Sequence, residues 1–118
     1  MSKLYVIASY AGRTDEEVAA VREELRELAE IALKDEFELL EPTPGLKRVA
    51  SEVDAVLKAD VVILAKNAVY SMPSRVVHFA ASSYGIEMHE EPDIRDRAAW
   101  AEPHDPAQDV EHNQVVGS

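Results

Sequence analysis

Apolar and polar positions alternate along the first ninety residues in blocks whose period switches repeatedly between that of a strand and that of a helix. Lys3 to Ser9 reads Lys-Leu-Tyr-Val-Ile-Ala-Ser, a nearly continuous apolar run with β-branched and aromatic members, as in a strand covered on both faces of a parallel sheet. The polar loop Tyr10-Ala11-Gly12-Arg13 leads to Thr14, and Asp15, Glu16 and Glu17 follow. Thr14 and Glu17 have the spacing of a capping box, and the acidic first turn suits the positive end of a helix dipole. Val18, Val21, Leu25, Leu28 and Ala32 then recur at three- and four-residue steps, predicting an amphipathic helix to about Lys34.

The same alternation continues. Phe37 to Leu40 predicts a short second strand, ended by Pro42 and Pro44. Thr43 before Pro44 has the form of an N-cap with proline at the first helical position, and Leu46, Val49, Val53 and Val56 predict a second helix. Val61-Val62-Ile63-Leu64-Ala65 is the most apolar segment and the expected central strand. After the polar loop Lys66 to Tyr70, Ser71 and Pro73 open a third helix that carries Val76, Val77, Ala80, Ala81 and Tyr84 and stops at Gly85. Ile86 to Met88 predicts a fourth strand. Strands alternating with helices imply right-handed crossovers and a parallel sheet covered on both faces. The expected fold is α/β, a flavodoxin-like three-layer arrangement with strand order 2-1-3-4.

Beyond about Glu91 the periodicity fades among Pro92, Pro103, Pro106 and scattered Asp, Glu, His and Gln. One domain is expected over residues 1–91 and an acidic extended or disordered tail over 92–118, with Ala98, Ala99 and Trp100 as its docking point. Charge follows that division. Residues 1–86 hold fourteen Asp and Glu against ten Lys and Arg, and residues 87–118 hold nine against two, within a total of −11. No basic face is present to release counterions from phosphates, so duplex nucleic acid is not an expected partner. The acidic tail invites a basic protein partner instead. No apolar run reaches the length of a membrane span, and the first strand follows Met1-Ser2 without a signal-peptide core, so a cytoplasmic protein is expected. With no cysteine in the chain, disulfides, thiolate metal sites and cysteine nucleophiles are excluded. His89, His104 and His112, with Asp105, Asp109 and Glu111, match no metal-ligand spacing, and neither a metal nor a cofactor is expected.

In an open parallel sheet, ligands bind beyond the carboxyl ends of the strands where the strand order reverses, here between the first and third strands. Tyr10 to Thr14, Pro42 to Leu46 and Lys66 to Ser71 should meet there. Gly12 allows close backbone approach, and the following helix offers N–H groups to an anion, although a capped helix start explains the same residues. Arg75 in the first turn of the third helix can reach a phosphate or carboxylate, or lie on solvated surface. Ser71 is a ligand contact or an N-cap. His78 follows Val77 on an apolar helix, where packing is the ordinary role. Neither GxGxxG nor GxxxxGK[ST] occurs.

Three segments together resemble the nucleoside 2-deoxyribosyltransferase family and its small relatives, the nucleotide N-glycosidases. They are Leu4-Tyr5-Val6-Ile7-Ala8-Ser9-Tyr10-Ala11-Gly12 before an acidic helix start, Glu52 to Leu64, and Ser71 to Gly85. The resemblance covers about Leu4 to Met88. It implies cleavage of the bond between nucleobase and sugar, in which a glutamate attacks the anomeric carbon, a tyrosine holds that glutamate and acidic side chains assist the departing base. Tyr10 takes the tyrosine position, Glu52 stands where an aspartate is common, and Ser71 matches the serine of the third motif. Val77 occupies the glutamate position, and Pro73-Ser74 replaces a small Gly-Ala pair.

The chain is therefore expected to bind a nucleoside or nucleotide through Tyr10, Gly12, Arg13, Asn67, Ser71 and Arg75. The alternatives are a divergent N-glycosidase or deoxyribosyltransferase using Glu52 or His78, and a non-catalytic interaction protein. A homodimer through the third helix is also expected, because Val76, Val77, Phe79, Ala80 and Tyr84 carry apolar surface around more than one of its faces.

Overall fold

The computed structural model describes residues 1–101. Four strands, β1 (Ser2–Ile7), β2 (Phe37–Leu39), β3 (Val61–Leu64) and β4 (Glu87–Glu90), form one sheet in the order β2-β1-β3-β4. Every neighbouring pair is parallel, with Ser2 opposite Phe37, Leu4 opposite Val61 and Val61 opposite Glu87. The helices are α1 (Asp15–Leu33), α2 (Arg48–Leu57), α3 (Met72–Ser83) and α4 (Glu91–Ala101), with a short 3-10 turn at Ala68–Tyr70.

Side chains of β1 and β3 alternate between two cores, as the two-residue period of a strand requires. Leu4, Val6 and Ala8 with Val61 and Ile63 pack under Val18, Leu25 and Ala29 of α1 and Ile94 of α4. Tyr5 and Ile7 with Val62 and Leu64 pack under Ala55 and Val56 of α2 and Val77 and Ala81 of α3. Three layers result, as expected. Both arms of the capping box at the start of α1 are made, Glu17 N–H to Thr14 Oγ1 at 3.1 Å and Thr14 N–H to Glu17 Oε1 at 2.9 Å. Lys34, expected as the last helical residue, closes α1 in the left-handed conformation at φ 53°.

Three expectations need correction. The second helix starts at Arg48 rather than at Pro44, because Gly45 sits at φ +82°, outside the helical region. Thr43 is not its cap: the Thr43 hydroxyl donates to Asp54 Oδ2 at 2.6 Å, and its carbonyl accepts from the Ser51 hydroxyl at 2.6 Å. The loop thus lies along α2 instead of leading into it. The fourth strand runs through Glu90, since its ladder with β3 continues to Leu64 opposite Glu90.

The third correction concerns the boundary at residue 91. Residues 91–101 are helical and belong to the domain. Ile94 and Ala98 are buried against α1, whereas Trp100, offered as part of the docking point, is 71% exposed. Few apolar residues hold α4, but it is laced by Glu91–Arg95 and Asp93–Arg97 pairs one turn apart and by Arg95 to Glu24 on α1. The remainder of the expected tail, with His104, Asp105, Asp109, Glu111 and His112, lies outside the described residues. No described helix is long and apolar enough to cross a membrane.

Candidate functional site

β1 and β3 lie side by side at the centre of the sheet while their crossover helices cover opposite faces, so a cleft opens beyond their carboxyl ends. β1 leads into a turn closed by Arg13 N–H to the Tyr10 carbonyl at 3.0 Å. Gly12 takes φ +69° in that turn, and a Cβ there would meet no atom within 4 Å. It is glycine for its backbone conformation, not for crowding. β3 leads to Lys66 and to Asn67 at φ 69°, and α3 begins after Ser71.

Two adjoining hollows make up the cleft. One, of about 310 Å³, is lined by Tyr10, Ala11, Arg48, Glu52, Ser71, Pro73 and Ser74. The other, of about 470 Å³, is lined by Ser9, Ala11, Arg13, Lys66, Asn67, Tyr70 and Ser71. Ala11 and Ser71 are common to both. Each volume falls within the range of small-molecule sites.

The floor of the first hollow is a buried polar network. Glu52, on α2, is 1% exposed, and Arg22, on α1, is 5% exposed. They meet across the end of β1, with Arg22 Nη2 at 3.1 Å from Glu52 Oε1. The Tyr5 hydroxyl donates to the same Oε1 at 2.7 Å and accepts from Arg22 Nη2 at 2.8 Å. The other limbs of the guanidinium are also engaged, Nε donating to the Val6 carbonyl at 3.1 Å and Nη1 to the Tyr10 hydroxyl at 2.8 Å. Burial pushes the Tyr5 phenol far above its ordinary range, and the opposing Arg22 charge does not offset this. Tyr5 therefore remains a protonated donor at any working pH.

That network leaves one oxygen for the cleft. Each hydrogen bond that the described residues give the Glu52 carboxylate ends on Oε1. No buried side-chain nitrogen or oxygen among the described residues lacks a partner. Oε2 is thus the oxygen that meets the solvent of the cleft, held in place through its twin. Above it, the Arg48 guanidinium lies 4.0 Å from the centre of the Tyr10 ring, a cation–π contact at the cleft wall. Ser71 precedes α3 but makes no side-chain capping bond, so its hydroxyl is available to the cleft.

Of the residues expected from the sequence, Tyr10, Glu52 and Ser71 come together in the first hollow, and Arg13, Asn67 and Ser71 in the second. Gly12 shapes the turn without lining either. Arg75 is exposed in the first turn of α3, and His78 is half-buried on the same helix; neither lines these hollows. The anion cradle at the start of α1 is occupied by the helix's own cap. Val77, at the position of the glutamate nucleophile in the resemblance, is fully buried against the sheet. Sequence reasoning missed Tyr5, Arg22 and Arg48, and placed Lys66 and Ser74 at the site without giving either a role. Arg22 was detectable, since Val18, Arg22, Leu25 and Ala29 form one stripe of α1 with a charge at a core position. Among the described residues no group of three or more His, Asp or Glu side chains is placed to hold a metal ion.

Comparison of the chain with protein-family models, with curated proteins and with solved structures finds no match. Its class rests on its own architecture, an open parallel α/β sheet with a polar cleft at the reversal of strand order.

Proposed function

We propose that the protein binds a nucleoside or nucleotide in this cleft. The observation that carries the reading is the Glu52 carboxylate, fixed by Tyr5 and Arg22 through one oxygen and offering the other at the cleft floor. A preorganised acceptor of that kind suits paired sugar hydroxyls or the amino edge of a base, both of which donate. Tyr10 and Arg48 supply flat surfaces on which a base stacks. Arg13 and Lys66 place two cations at the far hollow, where a phosphate would lie some distance from Glu52. Val77 in the core leaves no side chain at the expected nucleophile position, which favours binding over turnover.

The same carboxylate supports a second reading, N-glycoside cleavage. In that chemistry Glu52 Oε2 attacks the anomeric carbon, the bonding pair leaves with the base, which takes up a proton, and water resolves the ester. His78 has no comparable support, because it lies away from both hollows.

One experiment separates the readings. The protein is titrated calorimetrically with a panel of nucleosides and their 5′-monophosphates while chromatography follows free base. Binding without base release is expected, weakened roughly tenfold or more in Glu52→Gln, the value of a hydrogen bond to a charged group. Base release abolished by Glu52→Gln would establish the second reading, and no heat with millimolar ligand would overturn both.

A further inference from the structure

The cleft does not end at its second hollow. A third, of about 240 Å³, opens between the end of β3 and the α1–α4 pair, and shares Arg13, Lys66 and Asn67 with the second. To these it adds Glu24 from α1 and Glu91 and Arg95 from α4. Adjoining hollows thus form one trough, from Glu52 at one end through Arg13 and Lys66 to Arg95 at the other. Nothing in the binding of a nucleoside with one phosphate uses the Arg95 end.

Charge changes sign along the trough. The chain as a whole carries 23 Asp and Glu against 12 Lys and Arg. The first hollow holds Arg48 and Glu52 together, whereas the second is lined by Arg13 and Lys66 and by no carboxylate. In the third, both carboxylates are already engaged by the protein. Glu91 Oε1 accepts from the Lys66 N–H at 2.8 Å and its Oε2 from Arg95 Nε at 2.6 Å, while Glu24 accepts from Arg95 Nη2. Arg13 and Lys66 enter no ion pair among the described residues, and Arg95 Nη1 donates to none of them. Cations gathered in a row with so little local compensation repel one another, and an extended polyanion relieves that repulsion. Their spacing is fixed by Glu91. This side chain, 9% exposed, ties the backbone at the end of β3 to Arg95 one turn along α4, so the third cation is set relative to the first two. The Arg95–Glu24 pair is by contrast exposed on both sides and cheap to exchange.

Granted a nucleoside at Glu52, as proposed above, we infer that the ligand of this cleft carries a chain of phosphates, a nucleoside 5′-di- or triphosphate in place of a monophosphate. The base and sugar occupy the first hollow, the phosphate nearest the sugar lies on Arg13 and Lys66, and the terminal phosphate takes the Arg95 guanidinium from Glu24. A guanidinium held by Nε to Glu91 keeps its outer N–H groups for that exchange, and two parallel donors match a phosphate's oxygens.

Calorimetric titration of the full chain, without divalent cations, tests this with adenosine, guanosine, cytidine and uridine, their 5′-mono-, di- and triphosphates, and inorganic tripolyphosphate. For the base that binds, affinity should rise at least roughly tenfold from monophosphate to triphosphate, the value of a hydrogen bond to a charged group. Tripolyphosphate should bind more weakly than that triphosphate. Arg95→Gln should abolish the rise and leave monophosphate affinity unchanged. Glu24→Gln, which releases Arg95 and removes a negative charge, should enlarge the rise, an effect that the loss of a merely structural ion pair does not produce. No rise in the wild type, a rise that survives Arg95→Gln, or one diminished by Glu24→Gln would overturn the phosphate chain and leave nucleoside binding standing. Tripolyphosphate bound as tightly as the best nucleotide would support the chain and overturn the nucleoside reading. Absence of heat from every compound at millimolar concentration would overturn both.

Discussion

Replacing Arg22 by methionine keeps most of the aliphatic stem and removes a guanidinium that makes four hydrogen bonds, to Val6, Tyr10, Tyr5 and Glu52. The dominant loss is not those bonds one by one. Glu52 is 1% exposed, and without Arg22 its Oε1 keeps only the Tyr5 hydroxyl among the described residues, with no positive charge beside the carboxylate. Removing one partner of a buried pair costs about 3–5 kcal/mol, a large part of the ~5–15 kcal/mol that holds a domain of this size together. With an m value of ~1.5 kcal/mol/M, the urea midpoint should fall by ~2 M or more, and the thermal midpoint by at least roughly 12 °C. Urea unfolding followed by far-UV circular dichroism measures the loss. Arg22→Met combined with Glu52→Gln removes the orphaned charge and should recover ~1–2 kcal/mol relative to Arg22→Met alone, the signature of direct coupling. A cost below ~1 kcal/mol for Arg22→Met, or a double variant that loses the sum of the two single effects, would refute the view that the guanidinium neutralises a buried carboxylate.

Three further outcomes follow from the same geometry. Val77→Glu, which puts a glutamate where the resembled family has its nucleophile, should destabilise the fold by more than ~3 kcal/mol and produce no base release, because the position faces the core rather than the cleft; a folded, active variant in the chromatographic assay would contradict this. Thr14→Ala should cost about 1 kcal/mol in urea unfolding, since both arms of the capping box are made. For Glu91, burial works against ionisation, but the Lys66 N–H and the Arg95 guanidinium outweigh it and hold the carboxyl below its usual range. A depressed folded-state value means stability that is present above the unfolded carboxylate value of ~4.3 and is lost as pH falls through the folded one. Glu91→Gln should therefore flatten the acid limb of the stability profile below about pH 4.3 and leave its slope near neutrality unchanged.

The layer order and the strand order were legible because the signal behind them is redundant. β1 and β3 are apolar on both faces, and α1 and α3 each carry a buried stripe that only a sheet can cover. Where one weak cue stood alone, it misled. Thr43-Pro44 has the form of a helix start, yet the single dihedral of Gly45 moves the start to Arg48. Pro92, by contrast, does open a helix, as the second residue of α4. It escaped notice because α4 is held by two buried apolar side chains and by ion pairs, and charge pairs one turn apart leave no hydrophobic period. Proline before a polar segment is thus a stop signal or an opening depending on whether such pairs follow.

The place of the cleft was legible for a different reason: it depends on strand order and not on any motif. Its floor was only partly legible: the core-stripe position of Arg22 marks a buried charge, but what that charge meets does not show in one dimension. Tyr5 reads as one more apolar residue of a strand, and Arg22 as a lone charge in the apolar stripe of a helix, with no partner named by the sequence. Only the sheet brings Tyr5, Arg22 on α1 and Glu52 on α2 to within hydrogen-bonding distance. Such a network is a poor way to gain stability, since well-packed apolar residues of the same volume usually do as well or better. Its position under the cleft, with Oε2 left to the solvent there, accounts for it better than folding does. On the reading proposed above, such a carboxylate suits a ligand recognised by its donors, because Tyr5 and Arg22 fix the acceptor before the ligand arrives.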